Sequence, residues 1–201
     1  MVATYFNNTH TSRKRSQTLR HLWKLERDEE EQRFEPWKTS SNRKLLWHGS
    51  HLFKWVRILS RGLQIPNENG GDLKFGKGIY FADMISEGAR HSKIDIGAKT
   101  GGLLVLGEVA LGTPSERDKA DVNFEKLPMG TDSIYGRGEF MHDPSEDLML
   151  TSGVVVPTGT PITRSYDRER SLTYNEFVVY DVTRVKLKYL LHVDEKSTIP
   201  D

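Results

Sequence analysis

The sequence predicts an α+β fold, on three observations. Apolar runs of strand length outnumber segments with helical spacing, the helical segments sit early, and the two do not alternate as βαβ units would. At 201 residues there is room for one domain with a proper core. Apolar residues at 36% and charged residues at 28% fit a soluble globular domain. No apolar run approaches the ~20 residues that span a bilayer, and MVATYFNNTH carries no signal-peptide core. The absence of cysteine excludes disulfides, thiolate zinc sites, iron–sulfur clusters and a cysteine nucleophile. A net charge of +1 argues neither for nor against a polyanionic partner.

Residues 1–17 read as a polar Thr/Asn/Ser-rich arm, residues 18–196 as the domain and 197–201 as a tail. Within the arm, Arg13-Lys14-Arg15 reads first as a solvated charge run and second as a nuclear-import or nucleic-acid contact. Leu19, His21, Trp23 and Leu25 alternate with mostly polar residues, which favours a strand. Asp28 to Gln32 reads as a solvated acidic run, and Lys44 to Trp47 as an apolar run ended by His48-Gly49-Ser50. Apolar residues at 52, 53, 56 and 59 give helical spacing, with Gly62 where a helix stops.

Pro66 to Asp72 is a loop by composition. Gly78 to Ala82 reads as a buried strand, Met84 to His91 as a short helix, and Leu103 to Leu111 as a strong strand. Pro and Gly punctuate Thr113 to Leu150, which reads as mostly loop. Glu176 to Val182 and Leu187 to Val193 are two further strands. No GxGxxG opens a helix after a strand, so a Rossmann dinucleotide site is excluded. Gly76-Lys77-Gly78 lacks the rest of a phosphate loop.

Three segments place a polar or aromatic residue in, or at the end of, an apolar strand. His48 ends RKLLWHGS, Tyr80 lies in GKGIYFAD, and Glu176 opens EFVVYD. Singly, each has an ordinary structural explanation. Together with their flanking words they resemble a known family. LLWHGS, FGKGIYFADM, LGEVALG, VVVPTG, YNEFVVYD and LKYLL closely resemble segments of poly(ADP-ribose) polymerase catalytic domains. They stand in the family's order and at about its spacing, from near residue 18 to residue 193. TLRHLWKLER and GTDSIYGRG lean towards the DNA-damage-responsive branch, and YNE is what its chain-building members carry.

The resemblance implies an ADP-ribosyltransferase fold of two packed, mostly antiparallel sheets with a few short helices. It implies transfer of ADP-ribose from NAD+, used as substrate, to protein acceptors (Glu, Asp or Ser side chains), with extension to poly(ADP-ribose) and release of nicotinamide. The catalytic triad falls on His48, Tyr80 and Glu176. His48 would hold ribose hydroxyls, Tyr80 would pack on the nicotinamide, and the Gly49 backbone would pair with the carboxamide. Ser50 would face the adenosine ribose or diphosphate, and Glu176 would contact the 2′-hydroxyl and polarise the acceptor. Tyr174 and Asn175 would shape the acceptor side, and the loop from Pro66 to about Phe75 would cover the donor.

The chemistry agrees with one carboxylate. Breaking the nicotinamide–ribose bond builds positive charge on the sugar, as in glycoside hydrolysis, and an ionised acid beside it stabilises that state. The leaving group is already a pyridinium, so no general acid is required, and no metal is expected.

Where relatives read Ser-Lys-Ser-Ala-x-Tyr, this chain reads Ser86-Glu87-Gly88-Ala89-Arg90-His91. Gly88 replaces a serine that bonds the carboxamide, His91 replaces a stacking tyrosine, and Glu87 replaces a lysine. Gln64 stands where relatives often place an arginine near the adenosine. One lost neutral hydrogen bond and a smaller ring together predict nicotinamide binding weaker by roughly 10–100-fold. The alternative readings are a weakly active or inactive scaffold module and a transferase of single ADP-ribose units. Relatives carry a helical regulatory domain upstream that residues 1–17 cannot supply; if the sequence is the whole protein, an open donor site is expected, and if it is a fragment the expectation concerns the fragment alone. The resemblance also implies the nucleus, otherwise the cytoplasm, with no direct DNA-binding module and no membrane contact.

Overall fold

A computed structural model describes residues 1–11, 17–67, 73–92, 101–165 and 171–195. The order begins with α1 (Val2–Asn8), β1 (Gln17–Lys24), α2 (Asp28–Phe34) and β2 (Arg43–Gly49). There follow α3 (Trp55–Arg61), β3 (Ile79–Phe81), α4 (Ile85–Ser92) and β4 (Gly102–Ala110). Short strands come next: β5 (Pro114–Arg117), β6 (Ser133–Gly136), β7 (Phe140–His142), β8 (Leu148–Met149), β9 (Val154–Val156) and β10 (Pro161–Thr163). β11 (Glu176–Val179) and β12 (Val185–Glu195) end the described fold.

Six strands pair in the order β1-β12-β4-β2-β9-β8, four in the order β3-β11-β6-β5, and β10 pairs with β7. Pairing is antiparallel except between β2 and β9 and between β5 and β6. The mostly antiparallel α+β architecture is the expected one. β4 is apolar but for Glu108 because both its faces are covered. Val105 and Val109 meet Phe81, Phe177 and Val179 of the smaller sheet, while Leu104 and Leu106 join Trp47, Tyr5 and Phe6 on the other side. At Gly107 a Cβ would stand 3.2 Å from the Phe81 ring, so the glycine lets the two sheets close.

Several expectations are corrected. Residues 2–8 are no polar arm: Val2, Tyr5 and Phe6, spaced one helical turn apart, are buried, with the Tyr5 and Phe6 rings 4.8 and 6.4 Å from Trp47. Arg13-Lys14-Arg15 and residues 197–201 lie outside the described residues. The acidic run is helical but not wholly solvated, since Glu30 is buried and accepts the Leu187 N–H at 2.8 Å and Arg27 Nε–H at 3.0 Å. Residues 113–150 are mostly loop as expected, with four strands of two to four residues that are too short to show a period and are held by their partners. The helix near residue 55 begins as a 3-10 turn over Leu52–Lys54, so Leu52, Phe53 and Val56 face outward while Trp55 and Ile58 are buried. Gly62, at φ +75°, ends that helix and donates to the Ile58 carbonyl.

Candidate active site

The two main sheets meet where β2 reaches β3. Trp47 N–H donates to the Ala82 carbonyl at 2.8 Å, and Ala82 N–H returns to Trp47 at 2.9 Å. This bridge sets His48 beside Tyr80, and His48 Nδ1 lies 2.8 Å from the Tyr80 carbonyl oxygen. A carbonyl only accepts, so Nδ1 carries the proton and Nε2 presents a lone pair. Burial, outweighing that hydrogen bond, lowers the His48 pKa to about 4, so the ring is neutral at neutral pH.

Tyr80 pairs with Val178 across β3 and β11. Its hydroxyl donates to the Gly76 carbonyl at 2.8 Å and accepts the Phe75 N–H at 2.9 Å. Burial raises its pKa well above the ordinary phenol value, so it is a neutral, fixed ring. Glu176 lies two residues before Val178, on the same face of β11, and is 3% exposed. Burial raises its pKa, and a hydrogen bond and charge from Lys74 oppose the rise. Lys74 Nζ donates directly to Glu176 Oε1. Its backbone is pinned, because its carbonyl accepts the Asp121 N–H at 2.7 Å and the neighbouring Phe75 is fully buried.

α4 crosses over β2 at a double-glycine contact. A Cβ on Gly49 would fall 1.9 Å from the Gly88 carbonyl oxygen, and one on Gly88 would fall 3.1 Å from Trp47 Cβ. From this helix Glu87 points inward, 1% exposed. Arg90 grips it with Nε and Nη2 at 2.9 and 2.5 Å, and His91 Nε2 lies 3.1 Å from its Oε1. Burial pushes the Glu87 carboxyl up, but His91 and Arg90 overcome that and hold it at about 2. The Glu87 charge is therefore already met by Arg90 on its own helix. Glu87, His91 and Glu176 each offer a ligand atom within 4.8 Å of the others, a grouping open to a divalent cation. Each carboxylate already has a side-chain cation, Arg90 on one and Lys74 on the other.

Behind Glu176, Asn175 is fully buried; its Nδ2 donates to Asp83 Oδ2 at 2.6 Å and its Oδ1 accepts the Gly138 N–H at 3.0 Å. Tyr174 Oη is 2.6 Å from Thr11 Oγ1, and Thr11 also bonds Ser86 of α4. The N-terminal segment thus ties α4 to the strand end that carries Glu176.

The structure brings His48, Gly49, Tyr80, Gly88, His91 and Glu176 to one region. Ser50 is adjacent, its carbonyl accepting the Trp55 indole N–H at 3.0 Å. Gln64 is exposed beyond α3 and donates to the Arg61 carbonyl at 3.0 Å; among the described residues no hydrogen bond ties it to the triad. Of the covering loop, residues 68–72 lie outside the described residues. Sequence reasoning missed Lys74 and Thr11. Neither has a periodic or spacing signal, being 102 and 163 residues from Glu176 and Tyr174, their respective partners.

Residues 1–195 match the family model described as the poly(ADP-ribose) polymerase catalytic domain. The chain is 43% identical over 197 residues to poly(ADP-ribose) polymerase 2 of Arabidopsis thaliana, covering 96% of this chain and 31% of the relative. It is 42% identical over 197 residues to poly(ADP-ribose) polymerase 1 of Danio rerio, covering 96% and 19%. The poly(ADP-ribose) polymerase of Drosophila melanogaster is 42% identical over 200 residues, covering 98% and 20%. The chain therefore spans between 19% and 31% of the length of these relatives.

Proposed function

Because this chain belongs to the poly(ADP-ribose) polymerase catalytic-domain family, we propose that it transfers ADP-ribose from NAD+ to protein acceptors and extends the product to poly(ADP-ribose), releasing nicotinamide. One observation carries the reading: a neutral imidazole, a fixed phenol ring and a buried carboxylate, far apart in sequence, converge on one region.

Each residue then has a role consistent with its surroundings. His48, with Nδ1–H committed to Tyr80, accepts a ribose hydroxyl at Nε2. Tyr80 gives the nicotinamide ring a flat face that cannot swing, because both functions of its hydroxyl are occupied. Glu176, kept ionised by Lys74 against the pull of burial, faces the anomeric carbon.

As the C1′–nitrogen bond breaks, its electron pair returns to the pyridinium and nicotinamide leaves neutral. The positive charge on the sugar is met by the Glu176 carboxylate. The acceptor oxygen forms the new bond to C1′, and its proton passes to Glu176 and then to solvent. His91 stands in place of a second phenol, oriented by Glu87, so nicotinamide is held more weakly than between two phenols. The acceptors are carboxylate or hydroxyl side chains and, during elongation, the ribose hydroxyls of the growing chain. The nucleus is the site of action that the family reading favours; among the described residues no helix is long and apolar enough to cross a membrane.

Incubation with radiolabelled NAD+, followed by denaturing electrophoresis, tests this. A ladder of modified protein is expected. A single shifted band would show transfer without elongation, and no incorporation would overturn the enzymatic reading.

A further inference from the structure

A second site stands apart from the donor region. We infer that a cavity of about 500 Å3 at the opposite end of β2 binds a phosphate-bearing ligand of nucleotide size. Its walls include Asn42, Lys44, Tyr135, Met141, His142 and Arg164. Lys44 and His48 share one face of β2 four residues apart, so this cavity and the imidazole are separated by ~13 Å along the strand. Phe177, another wall, points to the opposite side of β11 from Glu176. The cavity is therefore not part of the triad region.

Its charge is one-sided. Among the described residues no Asp or Glu lines it. Among the described residues Arg164 Nη2 has only neutral partners, Tyr135 Oη at 2.9 Å, Met141 Sδ at 3.0 Å and Asn175 Oδ1 at 3.4 Å. Arg164 Nε is buried with no hydrogen-bond partner among the described residues. Lys44 likewise has no ion-pair partner among them. His142 is different: burial lowers its pKa, but Asp147 and Asp83 override this and raise it to about 9, so its charge is already balanced by those two acids. Among the described residues, Lys44 and Arg164 are left as unbalanced cations around one space.

A guanidinium fork with an unmet N–H, paired with an ammonium, is the donor set that a phosphate satisfies, one group by shape and the other as a point charge. The remaining wall is apolar and aromatic. Tyr135 and Phe177 stack at 4.8 Å, and Leu111 and Met141 complete a surface suited to a base or ribose. The volume lies within the range of small-molecule sites. Cations, an aromatic wall and this size together select a nucleotide over a bare inorganic anion.

The test is calorimetric titration of the full chain with inorganic pyrophosphate and with AMP at low salt, in wild type, Lys44→Gln, Arg164→Gln and His48→Ala, with thermal melts confirming that each variant folds. Saturable binding is expected, weakened at least about tenfold by either cavity substitution and changed less than about twofold by His48→Ala. AMP should bind tighter than pyrophosphate. Because the two cavity variants act independently, loss of folding in one leaves the other informative. No saturable heat at millimolar ligand would overturn the inference, as would binding lost in His48→Ala and kept in the cavity variants. AMP binding no tighter than pyrophosphate would overturn the nucleotide assignment. NAD+ turnover is not the readout, so this result stands separately from the proposed transferase activity.

Discussion

Glu176→Gln removes a charge and keeps a shape, and its cost can be worked from burial. The carboxylate is 3% exposed, so water screens it poorly. With an effective dielectric near 20 and about 4 Å to the sugar, a unit charge interacts by ~4 kcal/mol. Part of that already acts on the pyridinium before the bond breaks, so ~3–4 kcal/mol is specific to the transition state, a loss of roughly 10²–10³-fold in rate. NAD+ affinity should change by less than about tenfold. Initial rates of nicotinamide release, beside calorimetric titration of NAD+, separate the two quantities. A rate loss below about fivefold, or a binding loss as large as the rate loss, would refute the reasoning.

The same substitution also has a sign in stability. The Glu176 pKa is raised in the fold, by burial before all else and despite Lys74. A raised folded pKa contributes stability below the unfolded value, and that contribution disappears as pH rises through the folded value. Above the folded value the ionised acid is thus a stability cost, and there the glutamine variant should melt no lower than wild type. A clear fall in melting temperature would point to a structural role for the charge.

Lys74→Met removes the hydrogen bond and charge that chiefly oppose burial at Glu176; the acid limb of the pH–rate profile should move to higher pH, while Lys74→Arg restores it, and an unmoved limb would dismiss the lysine. No activity transition from His48 should appear above pH 5, because its pKa lies at about 4; a step near pH 6.5 that His48→Ala removes would contradict this. Gly49→Ala must push α4 off β2, since the new carbon would fall 1.9 Å from the Gly88 oxygen; a cost of at least ~1–3 kcal/mol and loss of NAD+ binding by calorimetry are expected. Arg43→Leu strands the buried Glu108 carboxylate, which accepts Arg43 Nη1–H at 2.6 Å; about 3–5 kcal/mol should appear as a melting temperature lower by roughly 10 °C.

Much of the site was legible because its residues sit at strand ends within apolar words. LLWHGS and YNEF mark both the strand and the polar residue it delivers, and pairing then does the rest. What stayed hidden acts across long sequence separations. Lys74 reads as one more loop cation until β11 brings Glu176 to it. Glu87 reads only as a replaced lysine until Arg90 and His91, three and four residues on, fold back onto it. The α1 stripe of Val2, Tyr5 and Phe6 was diluted by Thr and Asn, and only the buried Trp47 beneath it shows why those three positions are apolar. Short strands such as β7 and β8 exist through their partners, so no local pattern announces them.

The glycine at 88 constrains how this domain can change. Restoring the serine hydroxyl of its relatives would bring a carbon to 3.1 Å from Trp47 Cβ, and Trp47 is itself wedged by Tyr5 and Phe6. A side chain at position 88 would therefore press, through Trp47, on a helix more than eighty residues earlier, so the room beside Gly49 is set in part by the packing of the N-terminal segment.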